Sequence, residues 1–350
     1  MFDFYLISND RVKESLDMLS VISQVEKAYL LKSQNEALLF PVITHDWVVG
    51  KKDMDIKSGC FGGEVNVFGL KALTYMEDND AFNLPRLSGT MMIFNSLNGQ
   101  LLGLLDSRSI TGLRTGAAGA IGSKYLARKD SETLLIIGSG NQAFYNLAGN
   151  LLVMDNLKKV LIYDPLNKES AEAFASGVRE RLIEEIFNKY SSSENYESLI
   201  KKTDVKYEAV EDLRSAAEVA DIIVTVTPAR SPLLQKDWIK KGVHINCVGA
   251  DMEGKQEIDE NIFSDAKIVV DDMHQATSIG ETEVPIKKGV ISPEDIHSEI
   301  GNIILGEQPA RTSEDEITVF DTTGLALQDL IVAKHLLDLA EKDNLPKYKL

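Results

Sequence analysis

From about residue 133 to residue 270 the chain alternates short, almost wholly apolar runs with longer stretches of amphipathic spacing. The runs Thr133 to Ile137, Lys159 to Tyr163, Asp204 to Tyr207, Asp221 to Thr227, Val243 to Val248 and Lys267 to Val270 are rich in β-branched residues. Runs of this kind suit strands buried on both faces. Between them, segments such as Asn141 to Met154 and Lys168 to Phe187 carry helical periodicity, and the resulting βαβ rhythm predicts an α/β fold with a doubly wound parallel sheet.

The first 130 or so residues have a different pattern. A helix is predicted over Asp10 to Ser33, then strands over Phe68 to Tyr75 and Gly89 to Asn95, with Asn98-Gly99 as a hairpin turn. The next segment, ITGLRTGAAGAIGSKYLAR, has small residues at helical spacing and suits close packing. This region is predicted to be an α+β domain. Near the end, a strand at Glu316 to Phe320 leads into a helical segment, Asp321 to Lys342, which could return to the first domain and make it discontinuous. The expected partition is 1–130 with 318–350, and 131–317. The serines and charges of Asn188 to Lys202 predict a solvated surface excursion.

Composition narrows the function. A length of 350 residues suits two domains, and 37 basic against 54 acidic side chains give a net charge of -17, which repels nucleic acid and anionic membranes. The 2 cysteines, Cys60 and Cys247, have no metal-ligand spacing and are expected as buried thiols. With no signal-like start and no apolar run near the ~18 residues of a membrane span, the chain is expected to be soluble and cytoplasmic.

The stretch LLIIGSGNQA places Gly138-Ser139-Gly140-Asn141-Gln142-Ala143 between a predicted strand and a predicted helix, the setting of a dinucleotide-binding turn. Asp164 ends the next strand, and 164 − 138 = 26 residues is near the separation at which an acid meets the adenosine ribose. Its charge favours NAD over NADP. Thr227 and Val248, at the ends of two further strands, complete the expected cofactor contacts. Asp251 follows the strand Val243 to Val248, where a carboxylate either handles an amine proton or caps a turn. Lys71 and Arg114 lie in apolar or small-residue surroundings, and Lys57 is a weaker case of the same kind. A buried cation needs an anion, supplied by a bound carboxylate or by a structural ion pair. His244 has the surroundings of a satisfied core residue. With no Gly-x-Ser-x-Gly elbow and no paired cysteines, a hydride-transfer enzyme is the strong candidate.

In order, LDSRSITGLRTGAAGAIGSKYLAR, LLIIGSGNQA, DIIVTVTPA, INCVGADMEGKQEID and ITVFDTTGLALQDL resemble the ornithine cyclodeaminase and mu-crystallin family. The resemblance runs from about Gly69 to the C-terminal helix. It implies a Rossmann domain carrying NAD(P), and a substrate-binding domain, completed by the C-terminal helix, that forms a homodimer. It also implies that Lys71 and Arg114 hold a substrate carboxylate while Asp251 handles the amino group. The activity expected first is a cyclodeaminase acting at the Cα–N bond, the alternatives being an amino-acid dehydrogenase or ketimine reductase, and a non-catalytic NAD(P)H and small-ligand binding protein. Two departures stand out. The segment LFPVITHDW lacks the further carboxylate-binding arginine usual after this proline, so either Lys57 compensates or the substrate is not a simple α-amino acid. The excursion at 188–202 is longer than the family's loop.

Overall fold

The computed structural model describes residues 2–48 and 51–349 and divides into two compact units, Met1–Arg114 with Leu325–Leu350, and Thr115–Gly324. The first boundary falls inside the helix Arg108–Leu126, upstream of the expected 130/131, and the second falls after the strand Ile317–Asp321, downstream of the expected 317/318.

In the first unit an eight-stranded sheet runs in the order Tyr348–Lys349, Asp3–Ile7, Leu101–Asp106, Leu87–Asn95, Val67–Met76, Lys52–Phe61, Ala37–Leu39, with Ile43–Val48 also paired to Lys52–Phe61. Most pairs are antiparallel; Asp3–Ile7 runs parallel to Leu101–Asp106. Alternation along Val67–Met76 buries Val67, Gly69 and Lys71 on one face, and the helix Ala326–Lys342 packs on this sheet with Leu327, Leu330, Ile331 and Leu337 buried. The single opening helix expected over Asp10 to Ser33 is two helices, Asn9–Ser15 and Met18–Ser33, preceded by a strand. The break is built in: the Asp17 side chain accepts from the Ser20 N–H at 2.9 Å and starts the second helix. The Asn98-Gly99 turn connects strands as expected, with Gly99 at φ 74°.

The second unit holds an eight-stranded sheet in the order Lys206–Ala209, Lys159–Tyr163, Thr133–Ile137, Ile222–Thr225, His244–Cys247, Ile317–Asp321, Ala266–Val270, Ile296–Glu299. Every pairing in it is parallel. The chain moves one way from Thr133–Ile137 through two strands, then resumes on the other side of it with Ile222–Thr225. That reversal marks the topological switch of a Rossmann-type sheet, beyond whose carboxyl edge ligands bind. The predicted strands recur within a residue or two at their ends. The expected excursion is solvated as its composition suggests, with residues 191–195 exposed, and it also contains the short helix Tyr196–Lys201 and the buried Tyr190. Cys247 is buried, whereas Cys60 is partly exposed. Among the described residues no helix is long and apolar enough to cross a membrane.

Candidate active site

The glycine turn sits at the switch point. Gly138 has φ +114°, a conformation that L side chains rarely adopt, and a Cβ there would lie 2.9 Å from the Val226 carbonyl oxygen. Gly140 is different: its φ of -80° is ordinary, and a Cβ on it would meet nothing within 4 Å. Neither backbone nor packing demands a glycine there, so the open space above Gly140 fits a ligand's approach. Gly140 also caps the helix Asn141–Val153 without a side-chain hydrogen bond, leaving Asn141 and Gln142 at an N-terminus suited to a pyrophosphate. Ala143 is fully buried where the helix meets the sheet. These residues fit a dinucleotide.

Asp164 closes the turn from the next strand. Its Oδ2 accepts from the Ser139 hydroxyl at 2.5 Å and the Ser139 N–H at 3.2 Å, and its Oδ1 accepts from the Leu166 and Asn167 N–H groups at 3.0 Å each. Burial works against its charge, but these donors outweigh it and hold the carboxyl below the ordinary carboxylate range. An ionised acid at this position disfavours a 2′-phosphate.

Further along the same edge, Glu257 ties the ends of two neighbouring strands together. Its Oε1 accepts from the Thr227 N–H (2.6 Å) and hydroxyl (2.7 Å), and its Oε2 from the Thr225 hydroxyl (2.7 Å) and Gly249 N–H (2.9 Å). Thr227 is thus held by Glu257, and Val248 is fixed by its N–H to the Thr225 carbonyl at 3.0 Å. Asp251 follows two residues after Gly249. Its side chain is about half exposed and pairs with Lys255 at 2.5 Å. His244 is a satisfied core residue, with Nδ1 against the Thr318 hydroxyl (2.9 Å) and Nε2 against Asn246 Oδ1 (3.1 Å). Burial drives its pKa down to about 3.

In the first unit, Lys57, Lys71 and Arg114 come together, all buried. Lys57 and Lys71 stand directly opposite each other on neighbouring antiparallel strands, an arrangement that like charges destabilise. The anion among them is Asp329, fully buried in the first turn of the helix Ala326–Lys342. Lys71 Nζ donates to Asp329 Oδ2 at 2.8 Å, and Arg114 Nε lies 3.4 Å from Oδ1, an ion pair without hydrogen-bond geometry. Arg114 Nη1 also donates to Gln328 Oε1 at 3.0 Å, and Gln328 Nε2 donates to the Tyr29 hydroxyl at 2.5 Å. Of the two expected sources of an anion for Lys71 and Arg114, a bound carboxylate or a structural ion pair, the chain itself supplies the second through Asp329. Lys57 also faces both Lys71 and Asp329. Burial brings Lys71 down to about 7; Asp329 opposes that fall, while Arg114 and Lys57 add to it. Burial also works against the charge of Asp329, but Lys71 and Arg114 hold its carboxyl below the ordinary range.

Asp329, Gln328 and Glu257 carry these arrangements, yet the sequence offered little sign of them. Gln328 and Asp329 stand in the ALQDL stretch of an amphipathic helix, where an acid in the first turn has a sufficient local reason through the helix dipole. The discoverable signal was Lys71 and Arg114 themselves, two buried cations that implied a buried acid somewhere.

The profile of the ornithine cyclodeaminase/mu-crystallin family matches residues 5–189 and 183–344. An alanine dehydrogenase of Archaeoglobus fulgidus is 35% identical, over 97% of this chain and 96% of its own. An archaeal alanine dehydrogenase dimer with bound NAD superposes with a TM-score of 0.87 at 33% identity, covering 99% of both chains. The Thermococcus litoralis Δ(1)-pyrroline-2-carboxylate reductase in complex with NADH and L-proline gives 0.86 at 28% identity and covers 100% of each chain.

Proposed function

Because the chain belongs to the ornithine cyclodeaminase/mu-crystallin family, we propose that it is an NAD-dependent dehydrogenase or imine reductase acting at the Cα–N bond of a small α-amino or α-imino acid. The observation that carries this reading is the buried cluster of Lys57, Lys71 and Arg114. Lys71, Arg114 and Lys57 are buried around Asp329, and a gathering of buried ammonium and guanidinium donors suits a substrate carboxylate. Lys57 takes the place of the arginine missing from LFPVITHDW.

Gly138, Ser139, Gly140, Asn141, Gln142, Ala143 and Asp164 would hold NAD, with Thr227 and Val248 on the same sheet edge; when bound, its nicotinamide gives or accepts the hydride. In the reductive direction an imine, a hydride and a proton become an amine. We assign the proton on nitrogen to Asp251, whose pairing with Lys255 keeps it on a loop anchored through Gly249 and Glu257. The cyclodeaminase activity expected first requires the imine to be captured by a side-chain amine and ammonia to leave. The alanine dehydrogenase and the Δ(1)-pyrroline-2-carboxylate reductase that the chain resembles carry the simpler redox names. The first unit is the substrate-binding unit and the site of homodimer formation, a reading supported by the dimeric alanine dehydrogenase and by exposed Leu38, Ile43 and Trp47 on its sheet.

The experiment is a panel of amino acids with NAD, and of 2-oxo acids plus ammonia and cyclic imines with NADH, following NADH and ammonia together. Stoichiometric NADH change supports the proposal. Ammonia without net NADH would instead make the protein a cyclodeaminase, and no reaction in either direction would leave a binding protein of mu-crystallin type.

A further inference from the structure

We propose that Asp329 is a positioning residue for this site: it clamps Lys71 and Arg114 into one fork and keeps the cluster able to carry charge while it waits for a substrate carboxylate. The inference rests on the reading above that these cations bind substrate.

The geometry is specific. One carboxylate reaches two cations from different elements, Lys71 on a central strand through Oδ2 and Arg114 on the helix Arg108–Leu126 through Oδ1. The neighbouring residue Gln328 reinforces this grip by accepting from the same guanidinium while it donates to Tyr29. Successive residues of a single helical turn therefore fix Arg114 at two of its nitrogens. Lys71 has a further partner in the Thr111 hydroxyl at 3.5 Å, and its neighbour on the other flanking strand is the uncharged Met91. The charged groups that face Lys71 are Asp329, Arg114 and Lys57. Of these, Asp329 alone favours the ammonium form, so removing it leaves two positive neighbours and burial, all acting to strip the proton. An Asp329 confined to a packing role would leave that proton where it is.

The test uses the full-length protein labelled with [ε-13C]lysine, the Lys71 resonance being assigned by its loss in Lys71→Arg. In Asp329→Asn the midpoint of the Lys71 titration is expected to fall by about one pH unit or more, a tenfold change in the proton equilibrium, and Asp329→Glu should restore most of it. An unchanged midpoint in a folded Asp329→Asn protein would overturn the proposal. If Asp329→Asn does not fold, Asp329→Ser decides: a Lys71 midpoint lowered in the folded variant supports the assignment, and an unchanged one contradicts it. The same variants are then compared for the pH dependence of kcat and KM on the substrate found in the panel. The NMR readout does not depend on turnover, so failure of the enzymatic reading and failure of the Asp329 assignment are separable.

Discussion

In the first unit Lys57, Lys71 and Arg114 surround one carboxylate, whereas along the carboxyl edge of the second unit's sheet Glu257, Glu281, Asp271 and Asp321 are all buried with neutral donors around them. Glu281 Oε1 accepts from the Glu257 and Ile258 N–H groups, Asp321 Oδ2 from the Thr282 N–H and hydroxyl, and Asp271 from the hydroxyls of Thr322 and Thr323 and the Gly324 N–H. A buried carboxylate can relieve its desolvation by keeping a proton. Burial accordingly lifts Asp271 to about 6 and Asp321 to about 7; the charge of Asp272 adds to the first rise and that of Asp271 to the second. An arginine has no such escape, so its cluster calls for an anion. One region thus sets its buried acids among neutral donors, where burial favours the proton, and the other sets a buried acid among cations, which favour the carboxylate.

The largest effect is expected from removing the cation at the centre of the first cluster. Lys71→Met should lower kcat/KM by roughly 10²–10⁴-fold while leaving NAD affinity, measured by titration of cofactor fluorescence, close to wild type. Equal losses in both would mean that the cluster is structural. Next is the glycine cradle: Gly140→Val meets no protein atom at its Cβ, so thermal stability should hold while NAD binding weakens by roughly tenfold, about 1.4 kcal/mol. Unchanged affinity would remove the cofactor from that space.

The acidic edge gives a pH signature. Asp321 binds its proton more tightly folded than unfolded, so its contribution is present at low pH and is lost as pH rises from the ordinary 3.8 through about 7. Across that window the slope is on the order of 1 kcal/mol per pH unit. Asp321→Asn should flatten the fall in thermal midpoint over this range, and an unaltered profile would mean that the proton resides elsewhere. The smallest effect is at Lys57. Removing one of two opposed lysines as Lys57→Met should raise stability by on the order of 1 kcal/mol, visible as a higher denaturant midpoint, and should raise KM with little change in kcat.

How much of this could be read beforehand follows from the range of the interactions. The parallel strands were legible because Leu134–Ile137 and Ile222–Val224 are buried on both faces and so read as unbroken apolar runs. The glycine turn was legible because its requirements are local to six residues. The short strand Asp3–Ile7 and the break at Asp17 were missed, the first because it is too short to show a period and the second because a capping aspartate looks like any polar residue on a helix. Strand Lys52–Phe61 was hidden by its charged half. Asp329 lies 258 residues from Lys71 in sequence, and Glu257 reaches Thr225 and Thr227 across 32 and 30 residues; no local pattern encodes such pairings.

The central claim is that the cation cluster presents a substrate carboxylate for hydride transfer with NAD. Incubating the protein with NADH carrying deuterium at the transferable position of nicotinamide C4, together with 2-oxo acids plus ammonia or cyclic imino acids, and reading the products by mass spectrometry, tests it directly. The account predicts an amino acid labelled at the α-carbon with the wild-type protein and its near-absence with Lys71→Met. No labelled product from any of these acids, or equal labelling by the two proteins, would contradict it.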